Sequence, residues 1–486
     1  MPHLRTICPR WAYALAFALS TAAVSPTGHA FDDYQLPSLG GAATSVSNEE
    51  YRLGRAWLRQ FRAHAPQWQD PIVSDYLQGL IARLAPHSQL GNLQTIIVMV
   101  DNRSLNAFAV PGGVVGINSG LFAFAEDEGA FVSVLAHELG HLSQRHYARG
   151  SARAEQTQLP AMAAMLAGML IAVSGAGDAG IATAMGSQAA MIQDRLTYSR
   201  RYEQEADRIG LQAMANAGYD PEAMVRMFGA MQRMARLQGG TPPEFLLTHP
   251  VTDSRLSDAQ ARASQLSVAN AYTSDTLYDM MRARALLSIN RNSPQQAASR
   301  LAQESVSEPA QRYLGALIAA HSGQTDSALN TIDQLARELP DYSMLPASAA
   351  SIALDAQRYE EAITRSQRLL RLSPDYLPAQ LILAEAQLQR DPEAAYNLLR
   401  DVTAHHPENP QGFNLLAEAA GRSGYNGWGH LARAEHLQLT GRVDRGIRQL
   451  SIAKDAAQQE NDQQALARIE QRREAFIEYR KALDKF

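Results

Sequence analysis

The feature that most constrains the fold of this 486-residue chain is a repeat in its C-terminal half. Prolines end helix-like stretches at Pro340, Pro374 and Pro407, at intervals of 34 and 33 residues. Alanines recur at a matching interval, at Ala328 and Ala362, in segments rich in leucine and alanine. A period of this length is typical of stacked helix pairs, in which each pair buries its apolar face against the next pair. The sequence therefore predicts an α-solenoid for this half of the chain.

The period resembles that of the tetratricopeptide (TPR) repeat, in which a small residue lies where two helices pack and a proline ends the second helix. We expect about four to five units within residues 271–486, with an unrelated helical bundle as the alternative. The charged last segment, residues 463–486, is expected to be a solvated cap, and His405 and His406 are expected at the surface of a turn. A concave face of stacked helix pairs predicts binding of proteins or peptides.

The first 30 residues have the pattern of a secretory signal peptide. Arg5 and Arg10 precede the apolar run WAYALAFALSTAAV, and small residues follow it. The run is shorter than the roughly 20 residues that span a bilayer, so a retained membrane anchor is the weaker alternative. We therefore expect cleavage near Phe31 and a location in the periplasm.

Composition excludes some chemistry and one class of partner. The only cysteine, Cys8, lies within the expected signal peptide, so the mature chain would have no thiol for a nucleophile, a disulfide or a metal site. A metal would have to be bound by histidine and carboxylate side chains. The formal net charge of −5, without a basic run among aromatic residues, argues against a nucleic-acid partner.

Residues 31–270 mix helical patterns with one strand region, which predicts an α+β fold that is mainly helical. The run LQTIIVMVD (93–101) is apolar and β-branched, and NAFAVPGGVVGINSGLF (106–122) has the pattern strand, Pro-Gly-Gly turn, strand. We therefore expect a small sheet flanked by helices.

The string HELGH (137–141) lies in an apolar segment with helical spacing. Residues four apart lie on one face of a helix, so His137 and His141 would project together. Two imidazoles at this spacing can bind one Zn²⁺, with Glu138 placed to take a proton from water. Such a string is expected by chance in roughly one or two of a hundred chains of this size, so the prediction needs a third ligand.

The best third ligand lies in SRRYEQEADRIG (199–210), where Glu203 and Asp207 are four residues apart. Glu203 completes a set of two histidines and one glutamate, which leaves one position open for water. Asp207 is placed to accept the free ring N–H of a ligating histidine, whereas Glu205 is expected to point elsewhere. The alternative is a solvated helix with incidental ion pairs. We predict one Zn²⁺ per chain.

These segments resemble the HtpX-like zinc metallopeptidases, a family that also includes the membrane CAAX prenyl endopeptidases. The resemblance rests on NAFAVPGG, LAHELGHLSQRH, SRRYEQEADRIG, AGYDP and LLTHPVTDSR. With the signal peptide in front and the repeats behind, this chain resembles the periplasmic members of the family over nearly its whole mature length. It implies a gluzincin zinc-protease domain, with zinc bound by His137, His141 and Glu203 and with Glu138 as the base and later the proton donor.

The resemblance also implies roles for residues around this set. In similar proteins a histidine before proline, here His249, either stabilises the transition state or occupies the fourth metal position as a switch. Arg255 matches a companion arginine, and either side chain is a candidate to hold the developing oxyanion. His146 also matches the family pattern, but it lies five residues from His141 and thus off the ligand face. We expect it to be structural.

Substrate is expected to bind as an added strand along an exposed sheet edge, as in similar enzymes. The expected edge is formed by Asn106, Ala107, Phe108 and Ala109. The Met- and Ala-rich segment 159–194 is almost free of charge, and its glycines interrupt it too often for a bilayer span. We expect this segment to form either a lid that covers the active site and touches a membrane or a partner, or a part of the hydrophobic core, and we give the two alternatives equal weight.

The function implied is that of a periplasmic zinc endopeptidase with a chaperone-like role in outer-membrane protein assembly and quality control. Its expected clients are unfolded or misassembled outer-membrane proteins, and its TPR repeats would contact the assembly machinery. The alternative is a non-proteolytic TPR chaperone or adaptor whose metal site is silent or gated. A membrane-embedded protease is disfavoured because convincing membrane spans are lacking in the sequence.

Overall fold

A computed structural model of the chain describes residues 48–91, 93–151, 200–237, 243–266, 268, 271–272, 275–303 and 306–483. The expected signal peptide, residues 1–30, and the Met- and Ala-rich segment, residues 159–194, lie outside the described residues. The described elements confirm an α+β fold that is mainly helical and contains a three-stranded sheet.

The N-terminal part surrounds that sheet with helices, and a short 3-10 turn follows the second of them. In chain order its helices and strands are α1 (Asn48–His64), α2 (Pro71–Leu84), β1 (Ile96–Val100), β2 (Ala107–Val110), β3 (Val114–Asn118), α3 (Ser119–Phe124), α4 (Glu128–Ser143), α5 (His146–Ser151), α6 (Arg200–Asn216), α7 (Glu222–Leu237), α8 (Glu244–Thr248) and α9 (Asp253–Ala263).

The sheet has the strand order β1-β3-β2, in which β1 runs parallel to β3 and β2 antiparallel to it. The Pro-Gly-Gly turn joins β2 to β3, as the sequence predicts. Gly112 and Gly113 have φ angles of +84° and +87°, a region that glycine adopts without steric cost. A Cβ on Gly112 would also lie 2.8 Å from the carbonyl oxygen of Glu50. Gly112 therefore allows the turn to pack closely against α1.

Helices α4 and α6 pack closely because small residues line their contact. A Cβ on Gly140 of α4 would lie 2.8 Å from the carbonyl oxygen of Ala206, and a Cβ on Gly210 of α6 would lie 3.2 Å from Ala136 C. The absence of these two side chains lets the helix backbones approach each other. Carboxylates on α6 can therefore reach histidines on α4.

The C-terminal part consists of helix pairs joined by short turns. Its helices are α10 (Asp275–Ile289), α11 (Pro294–Ala302), α12 (Glu308–His321), α13 (Thr325–Glu338), α14 (Met344–Asp355), α15 (Tyr359–Leu370), α16 (Leu377–Leu388), α17 (Pro392–His405), α18 (Pro410–Arg422), α19 (Asn426–Leu439), α20 (Val443–Gln459) and α21 (Gln463–Leu483).

The predicted period is visible in these helices. Helices α14, α16, α18 and α20 are the first members of successive pairs, and their starting residues are evenly spaced along the chain. Ala328 and Ala362, predicted at helix contacts, are fully buried, and Ala395 occupies the corresponding place in the next pair. Each pair thus buries a small residue where its second helix packs.

The repeats bend back onto the N-terminal part. Helix α10 packs on α3, and the hydroxyl of Tyr278 donates to the carbonyl oxygen of Ala125 at 2.9 Å. At the other end, Arg59 of α1 donates to Gln438 Oε1 at 2.6 Å, and its guanidinium lies 4.2 Å from the ring centre of Tyr479. The last helix, α21, packs on α20 and leaves about half of its residues exposed, which agrees with the expected cap, but it also buries Phe476 completely and packs against α1.

Within the described part of the chain, no helix combines the length and the apolar character needed to cross a membrane.

Candidate metal centre

Helix α4 carries the HELGH segment through the core. Its N-terminus is capped by Asp127, whose Oδ1 accepts a hydrogen bond from the backbone N–H of Ala130 at 2.7 Å. His137, Glu138 and His141 are each at most 2% exposed. Polar groups buried this deeply need hydrogen-bond or metal partners inside the protein.

Four side chains converge beside α4. Among the described residues, ligand atoms of His137, His141, Glu203 and His249 all lie within 4.8 Å of one another. The two α4 histidines have their Nε2 atoms 3.0 Å apart. Glu203 Oε2 lies 3.5 Å from His137 Nε2, and Glu203 Oε1 lies 3.4 Å from His141 Nε2. The structure therefore brings together the three predicted ligands and His249.

This donor set fits a divalent cation. Asp207 engages Nδ1 of His137 and His146 engages Nδ1 of His141, both at 2.9 Å. The Nε2 atoms are therefore the ring nitrogens left to bind an ion. Two nitrogen lone pairs 3.0 Å apart repel each other unless a cation or a proton lies between them. Two imidazoles and a carboxylate are ligands that suit Zn²⁺.

The pKa values of the two glutamates of the centre shift in opposite directions. Burial alone would raise the pKa of Glu203, but the charges of His249 and His141 and a hydrogen bond from His137 hold it well below its usual value. Burial is the main reason why the pKa of Glu138 is raised. Glu203 is thus suited to remain ionised as a ligand, and Glu138 is suited to accept and return a proton.

Asp207 lies where the sequence predicts it, behind His137. Its Oδ1 accepts the Nδ1–H of His137 and also a hydrogen bond from Arg255 Nη2 at 2.7 Å, and its Oδ2 accepts from Arg255 Nε at 2.7 Å. Although burial disfavours a charged imidazole, hydrogen bonds with Asp207 and Glu203 raise the pKa of His137 to about 9. Asp207 therefore accepts hydrogen bonds from both His137 and the buried Arg255.

Arg255 is placed behind the carboxylates. Its Nη1 lies 2.8 Å from Glu203 Oε2 and donates to the carbonyl oxygen of Pro250 at 2.9 Å. With Nε and Nη2 on Asp207, each of its nitrogens already has an acceptor. This geometry favours a positioning role for Arg255 over the oxyanion role considered from the sequence, which stays untested.

His249 enters the centre from the turn after α8. Its backbone N–H donates to the carbonyl oxygen of Phe245 at 2.7 Å, and its ring packs on the Phe245 ring with 4.8 Å between centres. The hydroxyl of Thr252 then caps α9 by accepting from the backbone N–H of Arg255 at 3.3 Å. The same short segment thus places both His249 and Arg255, which helical spacing alone could not foresee.

Strand β2 borders the centre and is an edge strand of the sheet, although its residues are buried, with Ala107 1% and Ala109 0% exposed. The carbonyl oxygen of Asn106 accepts from the backbone N–H of Asn118 at 3.1 Å, so Asn106 turns its backbone toward β3. By alternation Phe108 does the same, while Ala107 and Ala109 turn their backbone groups away from β3. The backbone N–H of Ala109 in fact donates to Glu138. The predicted substrate edge therefore runs directly past the predicted base.

Sequence reasoning missed the position of His146. It excluded His146 from the ligands because five residues separate it from His141 on a continuous helix, and it is not one of the four converging side chains. The helix, however, ends at Ser143, and His146 returns to contact His141 directly. The signal available was the family pattern SQRH. Glu205 points away from the ligands as predicted, toward His146.

Comparison with known protein families matches both parts of the chain. The model of peptidase family M48 matches residues 71–263, and a tetratricopeptide repeat model matches residues 353–419.

Comparison with individual proteins gives relatives along most of the chain. The beta-barrel assembly-enhancing protease of Yersinia pestis is 34% identical over 460 residues, which cover 92% of this chain and 94% of the relative. The protein of the same name from Escherichia coli K12 is 34% identical over 450 residues, which cover 90% of this chain and 91% of the relative. The mitochondrial metalloendopeptidase OMA1 of Saccharomyces cerevisiae is 31% identical over 161 residues, which cover 32% of this chain and 42% of that protein.

Proposed function

Since the chain belongs to peptidase family M48 and is a metalloendopeptidase, we propose that it uses zinc to cleave unfolded or misassembled outer-membrane β-barrel proteins in the periplasm. The observation that carries the proposal is the convergence of His137, His141 and Glu203 beside Glu138 and the edge strand β2. The names of the relatives that align along nine tenths of the chain support the class of client.

The proposed ligands of the zinc ion are His137, His141 and Glu203. Their Nε2 and carboxylate oxygen atoms face one another, and the other ring nitrogens are already engaged. A zinc ion held there would supply the positive charge that polarises a water molecule and a peptide carbonyl group. Asp207 and Arg255 hold His137 and Glu203 in place for that purpose.

Glu138 is the proposed acid and base. Among the described residues its Oε1 is buried and finds no hydrogen-bond partner, and His249 Nε2 lies 3.6 Å from it. A carboxylate in this setting can take a proton from the attacking water and then give it to the departing amine. The raised pKa of Glu138 brings it closer to the pH at which both transfers are efficient.

The proposed substrate-binding edge is Asn106, Ala107, Phe108 and Ala109. An extended chain can add to β2 by hydrogen bonds to the outward backbone groups of Ala107 and to the carbonyl oxygen of Ala109, whose N–H already donates to Glu138. Because Ala109 touches Glu138, a strand paired there would carry its peptide bonds past the base. Pairing through the backbone requires an unfolded segment but little defined sequence, which suits misassembled clients.

We assign the peptidase domain to residues 31–270 and the TPR repeat domain to residues 271–486. The repeats offer helix faces for protein contacts, and we assign to them the binding of the outer-membrane assembly machinery. The signal-peptide pattern of residues 1–30 supports a periplasmic location. Segment 159–194 is the proposed point of peripheral contact with a membrane or a partner.

A second function is favoured by the position of His249. Its Nδ1 lies 3.2 Å from Glu203 Oε1, so it can fill the metal position that a catalytic site leaves open for water. A centre closed in this way would be silent, and the chain would then act as a TPR chaperone or adaptor. Both functions fit one protein if displacement of His249 switches between them.

The test uses one client in two states. The purified mature chain is incubated with an outer-membrane β-barrel protein that is either diluted from urea or folded in detergent micelles. We expect cleavage of the unfolded client and little cleavage of the folded client, loss of cleavage after chelation, and recovery with added Zn²⁺. Equal cleavage of both states would contradict the proposed selectivity.

The same samples distinguish the second function. If the unfolded client remains intact while its aggregation, followed by light scattering, is suppressed at stoichiometric amounts of the chain, the chaperone function stands and the protease function fails under these conditions. Cleavage that survives chelation would overturn the assignment of the metal centre.

A further inference from the structure

His146 lies against a proposed zinc ligand, yet the mechanism above does not use it. Its ring is 1% exposed, with Nδ1 at 2.9 Å from His141 Nδ1 and Nε2 at 3.2 Å from Glu205 Oε2. The ring of Tyr202 stacks on it, with 4.6 Å between the ring centres and 16° between the planes. The orientation of the His146 ring is therefore fixed from three sides.

The contacts of His146 determine where its proton must lie. Two ring nitrogens 2.9 Å apart share a hydrogen bond only when one of them carries the proton. If His141 is to bind a metal through Nε2 as a neutral imidazole, its Nδ1 carries the proton and His146 Nδ1 accepts it. The proton of neutral His146 is then on Nε2, where it is donated to the carboxylate of Glu205.

Glu205 is itself held in position. Arg149 Nη1 donates to Glu205 Oε2 at 3.0 Å, and the Arg149 guanidinium lies 5.0 Å from the ring centre of Tyr202. The acceptor at the end of the His141–His146 hydrogen-bond chain is thus an anion with a cation behind it. The arrangement parallels Asp207 and Arg255 on the other side of the centre.

A break in the helix makes this contact possible. Five residues along a continuous helix correspond to a rotation of about 140° away from the starting face. Arg145, however, has a φ angle of +50°, which ends α4 and turns His146 back toward His141. The Nη2 of Arg145 donates to Glu50 Oε1 of α1 at 2.6 Å, which holds the turn.

We propose that His146 is a positioning residue that, with Glu205 and Arg149, fixes the tautomer and the ring orientation of His141 for metal binding. Each α4 histidine is then tied to a carboxylate of α6, His137 directly to Asp207 and His141 through His146 to Glu205. The proposal rests on the proposed zinc centre. The experiment that tests it therefore measures metal binding separately from proteolysis.

The experiment measures the Zn²⁺ affinity of the full mature chain by competition with a chromophoric chelator. His146→Gln places an amide near the position of Nε2 and removes the acceptor for His141, whereas His146→Asn keeps an acceptor oxygen near the position of Nδ1. We expect the affinity to fall about 10- to 100-fold in His146→Gln, the range typical of lost partners of metal ligands, and to fall less in His146→Asn.

A second substitution tests whether Glu205 acts through His146. Glu205→Gln removes the anion and is expected to weaken Zn²⁺ binding in the wild-type background. In the His146→Asn background it should have no further effect, because asparagine is too short to reach position 205. His436→Asn is the matched control, because the ring of His436 donates one hydrogen bond to the carbonyl oxygen of Pro410 at 3.0 Å but lies in the repeats.

The possible outcomes separate this proposal from the proposed function. If the wild-type chain binds no Zn²⁺, the metal centre itself fails. If the wild type binds one Zn²⁺ and both His146 variants bind it with the same affinity as the wild type, the positioning role is wrong and the centre stands. Equal losses in the Asn and Gln variants, with an equally lowered melting temperature of the metal-free chain, would also overturn the proposal in favour of a purely structural role.

Discussion

His249 Nδ1 lies 3.2 Å from Glu203 Oε1, so a side chain from the turn after α8 occupies the open side of the proposed zinc centre. The ring is 3% exposed and is supported by Phe245. A catalytic zinc site needs a position for water, so in the gated function proposed above this arrangement would be the closed one. In that proposal this turn moves to open the centre, while the three proposed ligands stay on the two packed helices α4 and α6.

His249→Ala is therefore expected to increase the cleavage of unfolded casein by the purified chain, with Zn²⁺ content unchanged, because the fourth position becomes open to water. The measurement is the initial rate at equal protein and metal concentration. His249→Ala combined with Glu138→Gln is the control, and it should be inactive. A rate below that of the wild type would assign His249 to transition-state stabilisation instead.

The pair of Arg255 and Asp207 should be important for stability. Arg255→Met leaves the Asp207 carboxylate buried beside His137 without its two arginine hydrogen bonds, and breaking such a pair costs about 3–5 kcal/mol. The free energy of unfolding of the metal-free chain, from urea titration, checks this. Arg226→Met removes the exposed pair with Asp220, at 3.0 Å, and should cost less than about 1 kcal/mol. Equal effects of the two substitutions would contradict the assignment.

The close approach of α4 and α6 gives a second test of the centre. Gly140→Ala would place a Cβ 2.8 Å from the carbonyl oxygen of Ala206, so the helices must separate and Glu203 must move away from the histidines. We expect weaker Zn²⁺ binding and a lower melting temperature. Gly79→Ala, in a helix and with no atom within 4 Å of the new Cβ, should be neutral or stabilise by about 0.5–1 kcal/mol. Unchanged Zn²⁺ affinity in Gly140→Ala would show that the helix contact does not position Glu203.

One carboxyl group outside the centre gives a pH dependence with a defined sign. Burial raises the pKa of Asp75 to about 6, above the value of about 3.9 in an unfolded chain. The folded state therefore binds this proton more tightly, and the resulting stability is present below pH 4 and is lost as the pH rises through 6. The loss is at most about 3 kcal/mol. The wild type should lose stability relative to Asp75→Asn over this range in urea titrations, and a constant difference between them would contradict the prediction.

Much of the fold could be predicted because its signals are periodic. The interval between Pro340, Pro374 and Pro407 indicates helix pairs, and the Pro-Gly-Gly turn indicates the hairpin, since each depends on local backbone geometry. The packing of the last helix on α1 was not predicted, because its charged residues suggest a solvated surface. Its contact with Arg59 joins residues some 400 positions apart, and such packing leaves no periodic signal.

The candidate site, like the fold, could be predicted only in part. Helical spacing placed His137 and His141 on one face of a helix, and Glu203 and Asp207 on one face of a second helix. The structure brings the ligand atoms together. Their role in metal binding stays a proposal. The position of His146 could not be predicted from spacing, because a single residue with positive φ, Arg145, ends the helix before it. Tertiary contacts of this kind depend on where a helix stops.

The most direct test of the central claim compares the mature chain with its Glu138→Gln variant. Both are purified, their Zn²⁺ content is determined by elemental analysis, and their cleavage of unfolded casein is measured. Because glutamine keeps the shape of the side chain but cannot take the proton from water, we expect near one Zn²⁺ per chain in both and a rate at least about 100-fold lower in the variant. If the variant, equally loaded with Zn²⁺, cut casein at the wild-type rate, Glu138 would not be the base and the proposed mechanism would be wrong.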